Sequence, residues 1–227
     1  MAEAKLRPRR RRAESALAAA AARYAALGWP VCAGARLVGT AHRGGRHRPR
    51  GAGRACSCDR IGCPAPGAHP ISPAWQLEAT ADPAAVRAWW NVRPQASIVL
   101  ATGRAFDVLD VPARAGQIAM ARLGQAGIPP GPVAIGAGGR TLFFVRARSA
   151  VAADDEWWSC HLDCEPESLP AVSGLRWHCR DSYVLAPPSR LSNGTAARWL
   201  VRPEAAVLPD SLRLIEFLAD ACEEIGQ

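Results

Sequence analysis

A chain of 227 residues, 49% of them hydrophobic, is long enough for one well-packed core with a small satellite module and too short for two full domains. No stretch approaches about 20 uninterrupted apolar residues, the length of a membrane helix, and arginines stand where a secretory leader needs its apolar run, so a cytoplasmic protein without membrane contact is expected. The net charge of +8 is concentrated: residues 1–12 hold Lys5 and five arginines against Glu3 (+5), residues 36–60 hold seven arginines against Asp59 (+6), and the rest is left with −3.

Residues 1–12 have no apolar face and read as a disordered basic tail, with Arg9, Arg10, Arg11 and Arg12 as candidate polyanion contacts. A helix is predicted from about Glu14 to Leu27, closed by Gly28, and WPVCAGARL then reads as a strand leading into a Gly/Arg loop. Arg43, Arg46, Arg48 and Arg50 in that loop are the second candidate nucleic-acid contact.

The stretch CSCDRIGCPAPGAHP has the spacing C-x-C-x4-C-x5-H at Cys56, Cys58, Cys63 and His69. Three thiolates and an imidazole complete a tetrahedral zinc shell, and Gly62, Pro64, Pro66 and Gly67 suit the tight turns of a zinc knuckle over residues 54–70. A shell closed by four protein ligands favours a structural ion over a catalytic one. The eight cysteines of a chain without an export signal are therefore read as metal ligands and buried thiols, Cys32 and Cys222 among the latter, not as a disulfide framework.

Asp82 is placed as the cap of a short helix beginning at Pro83, whose AVRAWW carries Trp89 and Trp90 toward the core. SIVLA and FDVLDV follow, separated by a link short enough for adjacent strands. In FDVLDV, Asp107 and Asp110 are three positions apart and fall on opposite faces, while Pro112 occupies the position two after Asp110 where a second carboxylate would complete a metal pair. GQIAMARLGQAG has helical spacing, and PVAIG with TLFFVRA flanks a Gly-Gly turn as an antiparallel hairpin. Residues 150–170 are acidic and irregular; Cys160, His161 and Cys164 there are read as part of a surface insertion. SYVLAPPS and ARWLV are the last strands, and SLRLIEFLADACEEI is an amphipathic C-terminal helix over 206–227 that packs on a domain spanning 13–205. The fold class is α+β.

Taken in order, ALGWPV, CSCDRIGCPAPGAHP, ATADPAAVRAWWNVRPQASIVLATG, VLDV, GAGGRTLFF and SYVLAPPS make the chain resemble the bifunctional DNA primase/polymerase N-terminal domain, the prim-pol branch of the archaeo-eukaryotic primase superfamily, over about residues 16–190. That resemblance implies a primase-type core with an RRM-like mixed or antiparallel sheet flanked by helices, which binds template and nucleotide and joins nucleotides with two divalent ions. It also implies an Asp-x-Asp strand, a histidine in the Gly-rich hairpin, and an aspartate before the Tyr-Val-x-x-Pro-Pro-Ser strand. Here Asp110 matches the first aspartate; the others fall on Pro112, Thr141 and Arg176, or on His178 with two residues deleted. Asp110 is thus expected to be vestigial, with structural zinc, no catalytic magnesium or manganese, and single-stranded DNA or another nucleic acid as partner, alongside a replication or regulatory protein. Two alternatives accompany this reading: an active nucleotidyltransferase with an unusual metal site, and an interaction scaffold docking through Trp157 and Trp158.

Overall fold

The computed structural model describes residues 15–38, 55–58, 60–136, 139–148, 167–168, 174–190, 195–205 and 207–226. The chain opens with α1 (Ala16–Ala26), followed by β1 (Val31–Gly34), β2 (Leu37–Val38) and β3 (Ala55–Cys56). Next come α2 (Trp75–Glu78), α3 (Pro83–Val92), β4 (Ser97–Ala101), β5 (Phe106–Val111) and α4 (Ala113–Gln125). The hairpin β6 (Val133–Ile135) and β7 (Thr141–Arg146) precedes β8 (Glu167–Ser168), β9 (Arg176–His178), β10 (Tyr183–Leu185), β11 (Arg198–Val201) and α5 (Ser211–Gly226).

Local chemistry accounts for the helix ends. Ser15 Oγ accepts from Ala18 N at 3.1 Å and starts α1, and Gly28 at φ 80° turns the chain after it. Asp82 accepts from Ala84 N at 2.8 Å and Ala85 N at 3.3 Å, with Pro83 at the first helical position of α3. The alanine face of α1 lets it lie close on α3, so the small residues serve packing as well as helix propensity.

Every strand pairing among the described residues is antiparallel. One sheet has the order β1-β4-β10, a second β11-β6-β7-β5-β9-β8, and β2 with β3 forms a separate ribbon. The fold is a mixed α+β domain with helices flanking antiparallel sheets. β6 and β7 pair as the predicted hairpin.

The short link after β4 does not make it a neighbour of β5; the two strands lie in different sheets. Thr102 N donates to Ser182 O at 2.9 Å and Thr102 Oγ1 to Cys179 O at 2.6 Å, so the link is tied to the turn between β9 and β10. Gly103, at φ 86°, lies so near this turn that a Cβ would sit 2.2 Å from Arg180 Cα. The β4–β5 and β9–β10 connections therefore cross together from one sheet to the other.

β5 is central and buried throughout, and its alternation divides the core. Phe106 and Val108 join Trp29, Phe144 and α1/α3 residues on one face; Leu109 and Val111 join Phe143, Leu123, Leu214 and Leu218 under α4 and α5 on the other. Each such fully buried side chain stabilises the fold by about 1.5–3 kcal/mol. Trp29 stacks on Phe144 at 5.2 Å between centroids, and Tyr24 OH donates to Pro187 O at 2.6 Å, which pins α1 to the segment after β10.

Candidate metal centre and the Asp110 site

The ribbon β2–β3 carries Cys56 at its end, and turns through Gly62 (φ 70°) and Gly67 (φ 75°) return the chain so that Cys58, Cys63 and His69 face it. The four ligand atoms all lie within 4.8 Å of one another. His69 Nε2 is 3.3 Å from Cys56 Sγ and 3.5 Å from Cys63 Sγ, close to the about 3.6 Å edge that zinc–sulfur and zinc–nitrogen bond lengths give a tetrahedron. His69 Nδ1 lies 2.7 Å from Pro70 O. A carbonyl only accepts, so Nδ1 holds the proton and Nε2 presents its lone pair to the cluster, the arrangement a metal-ligating imidazole requires. Gly67 N donates to Cys56 Sγ at 3.4 Å, which ties the second turn to the first ligand. The backbone N–H of Arg60 draws the Cys58 thiol down to about 7, whereas burial pushes Cys63 up to about 11 in the absence of an ion. The donor set and its geometry fit zinc, and among the described residues this is the one group of three or more His, Cys, Asp or Glu side chains close enough to share an ion.

The segment leaving the cluster is clipped to the sheet. Ala35 N donates to His69 O at 2.8 Å and Ile71 N to Ala33 O at 3.1 Å, covering the outer edge of β1.

Asp110, near the end of β5, is side by side with Leu142 on β7 and Arg176 on β9. Its side chain is 8% exposed, and both carboxylate oxygens are engaged. Arg140 Nε donates to Oδ1 at 2.6 Å, while Arg140 Nη2 donates to Asp110 O at 3.0 Å and Gly174 O at 2.6 Å. His178 Nε2 lies 3.4 Å from Oδ2, and His178 Nδ1 lies 3.1 Å from the hydroxyl of the fully buried Ser182. The ring thus bridges the Asp110 carboxylate and the Ser182 hydroxyl through its two nitrogens. The aspartate, histidine and serine stand in series, but the serine has no access to solvent and serves as a support.

The other positions matched by sequence are not brought to this carboxylate as ligands. Pro112 has no donor atom and caps the start of α4, its Cγ only 3.0 Å from where a Cβ on Gly174 would sit. Thr141 is opposite Val111 and so faces the α4 side, where a Cβ on Gly116 would lie 2.2 Å from its Oγ1. Arg176 is exposed, a cation across the strand from Asp110. Asp107 points to the opposite face, as its spacing predicts; its Oδ2 accepts from Trp177 Nε1 and Arg148 N, both at 3.2 Å. Burial holds the Asp107 carboxyl above the usual range, and its Oδ1 has no partner among the described residues. Asp181 sits at φ 60° on the exposed turn beside Arg180, 3.9 Å from that guanidinium.

Sequence reasoning missed Arg140. Its signal was the GGR word before β7, a basic residue in the hairpin where the resemblance implies cation chemistry. Arg9, Arg10, Arg11, Arg12, Arg43, Arg46, Arg48 and Arg50 lie outside the described residues, as do Trp157, Trp158, Cys160, His161 and Cys164.

Together these features define a mixed α+β domain of antiparallel sheets flanked by helices, with a Cys3His cluster that could hold zinc. The family model of the bifunctional DNA primase/polymerase N-terminal domain matches residues 21–211, and the chain belongs to that family. No curated protein matches the chain. No helix among the described residues is long and apolar enough to cross a membrane.

Proposed function

We propose that the chain is a primase/polymerase-family domain that has lost its metal chemistry and serves as a zinc-stabilised nucleic-acid-binding or regulatory module. The observation that carries this reading is the Arg140–Asp110 pair: a guanidinium 2.6 Å from Oδ1 holds the position a divalent ion would need. Two-metal phosphoryl transfer depends on carboxylates that clamp both ions, and a single aspartate between Arg140, His178 and Arg176 does not fit them. The family supplies the expectation of a nucleic-acid partner, and the uneven charge supplies a means of contact. Zinc at Cys56, Cys58, Cys63 and His69 would hold the knuckle against β1 without taking part in chemistry.

Binding to single-stranded DNA is expected to show little sequence preference. With about five phosphates neutralised, log affinity should fall against log salt with a slope near −3.5, from about −0.7 per contact. Alanine at Arg43, Arg46, Arg48 and Arg50 should flatten the slope in a fluorescence anisotropy titration. An unchanged slope would remove this loop from the contact.

A further inference from the structure

A cavity of about 430 Å³ opens between the C-terminal end of α3, the exit of β1 and the ribbon that carries the metal ligands. Its walls include Arg36, Ser57, Ile71, Val92, Arg93 and Gln95. Both sides are held in place. Arg36 N donates to Ser57 Oγ at 2.9 Å and Ser57 N to Arg36 O at 3.0 Å, while Trp90 Nε1 donates to Ala96 O at 3.1 Å and fixes the turn after α3. Arg36 Nη1 reaches across to Gln95 Oε1 at 3.2 Å and joins the two walls.

The chemistry of the lining is selective. Arg36 and Arg93 are exposed guanidiniums with no carboxylate within ion-pair distance among the described residues, and Val92 beside them is 77% exposed. Arg93 and Ile71 also border a recess of about 260 Å³ lined by Cys32, Trp89 and Glu78. Glu78 disfavours phosphate within that recess, so the phosphates of a ligand belong on the larger cavity's side, which Arg36 and Arg93 both line, and its apolar side against Val92. A wider depression of about 700 Å³ between α4 and α5 is lined by Asp220, Glu223 and Glu224 and is unsuited to a polyanion. Residues 39–54, with Arg43, Arg46, Arg48, Arg50 and Arg54, connect β2 to β3 and so start and finish within three residues of Arg36 and Ser57.

We infer that this cavity grips a single nucleic-acid strand, with Arg36 and Arg93 on its phosphates and one base laid against Val92. A duplex does not fit this use, because its bases are stacked inside and only an unpaired strand can lay one on a protein wall. The inference rests on the nucleic-acid-binding reading above and assigns it a place on the three-stranded sheet, apart from Asp110 in the six-stranded one.

The test is anisotropy of a fluorescein-labelled oligothymidine across a salt series, using the whole 227-residue chain. Arg36→Ala with Arg93→Ala should bind about tenfold more weakly, and its salt slope should be shallower by about 1.4. Arg213→Ala on α5 removes a charge elsewhere and should behave as wild type, and Arg93→Lys should retain most of the affinity. Zinc content and melting temperature of each variant confirm that the fold is kept. If wild type binds and the double variant matches Arg213→Ala in affinity and slope, the cavity is not the site, while nucleic-acid binding stands. If wild type does not bind even at low salt, the binding reading itself fails and the cavity assignment with it.

Discussion

Protein purified without added metal should carry one zinc per chain, and Cys63→Ser or His69→Ala should release it with a large loss of stability. The four ligand atoms already lie within 4.8 Å of each other, and the His69 tautomer is set by the Pro70 carbonyl. The damage should spread beyond the knuckle, because His69 O and Ile71 N are hydrogen-bonded to the edge of β1. An ion at about 1,000 times its dissociation constant stabilises by about 4 kcal/mol. For a domain of this size that is a fall in melting temperature of about 8–16 °C. Cys222→Ser, at a buried thiol outside the cluster, should keep its zinc. Metal analysis with thermal denaturation checks both points; a metal-free protein with unchanged melting would remove the zinc claim.

Arg140→Ala should be strongly destabilising for a change at a partly exposed residue beside β5. It leaves Asp110, 8% exposed, without its guanidinium and frees the Gly174 carbonyl. Breaking a buried ion pair from one side costs about 3–5 kcal/mol, and the 22% exposure of Arg140 places the loss near about 3 kcal/mol. Removing both charges together, with Asp110→Leu and Arg140→Met, should recover most of the loss, because no buried charge is then left unpaired. Denaturant melts of the two variants make the comparison. A double variant as unstable as Arg140→Ala would show that Asp110 matters for something other than this pair.

The contrast between these two sites shows what a sequence can disclose. The cysteine module was legible because its ligands lie within fourteen residues and their spacing is itself the geometry. Asp82 with Pro83 was legible for the same reason, as was the separation of Asp107 from Asp110, which needs only the alternation of a strand. The separation of β4 from β5 was not, since a four-residue link permits a hairpin and what prevents it is Gly103 meeting Arg180 from a distant segment. β9 is three residues long and carries no periodicity to detect. Thr141 was matched to a site residue by its place in a motif, yet register turns it toward Gly116 on α4. The engagement of Asp110 by Arg140 requires three adjacent strands and the Gly174 carbonyl, none of which spacing alone brings together.

In the proposed reading Asp110 has lost the ability to hold catalytic ions, a loss that should be visible in activity. Its most direct test is nucleotide incorporation by the unmodified protein, assayed as primer synthesis and primer extension with magnesium and with manganese. On this reading no product above background is expected with either ion, and no difference between wild type and Asp110→Ala. Robust incorporation that Asp110→Ala abolishes would contradict it, and would mean that Arg140 leaves the carboxylate when metal and nucleotide bind.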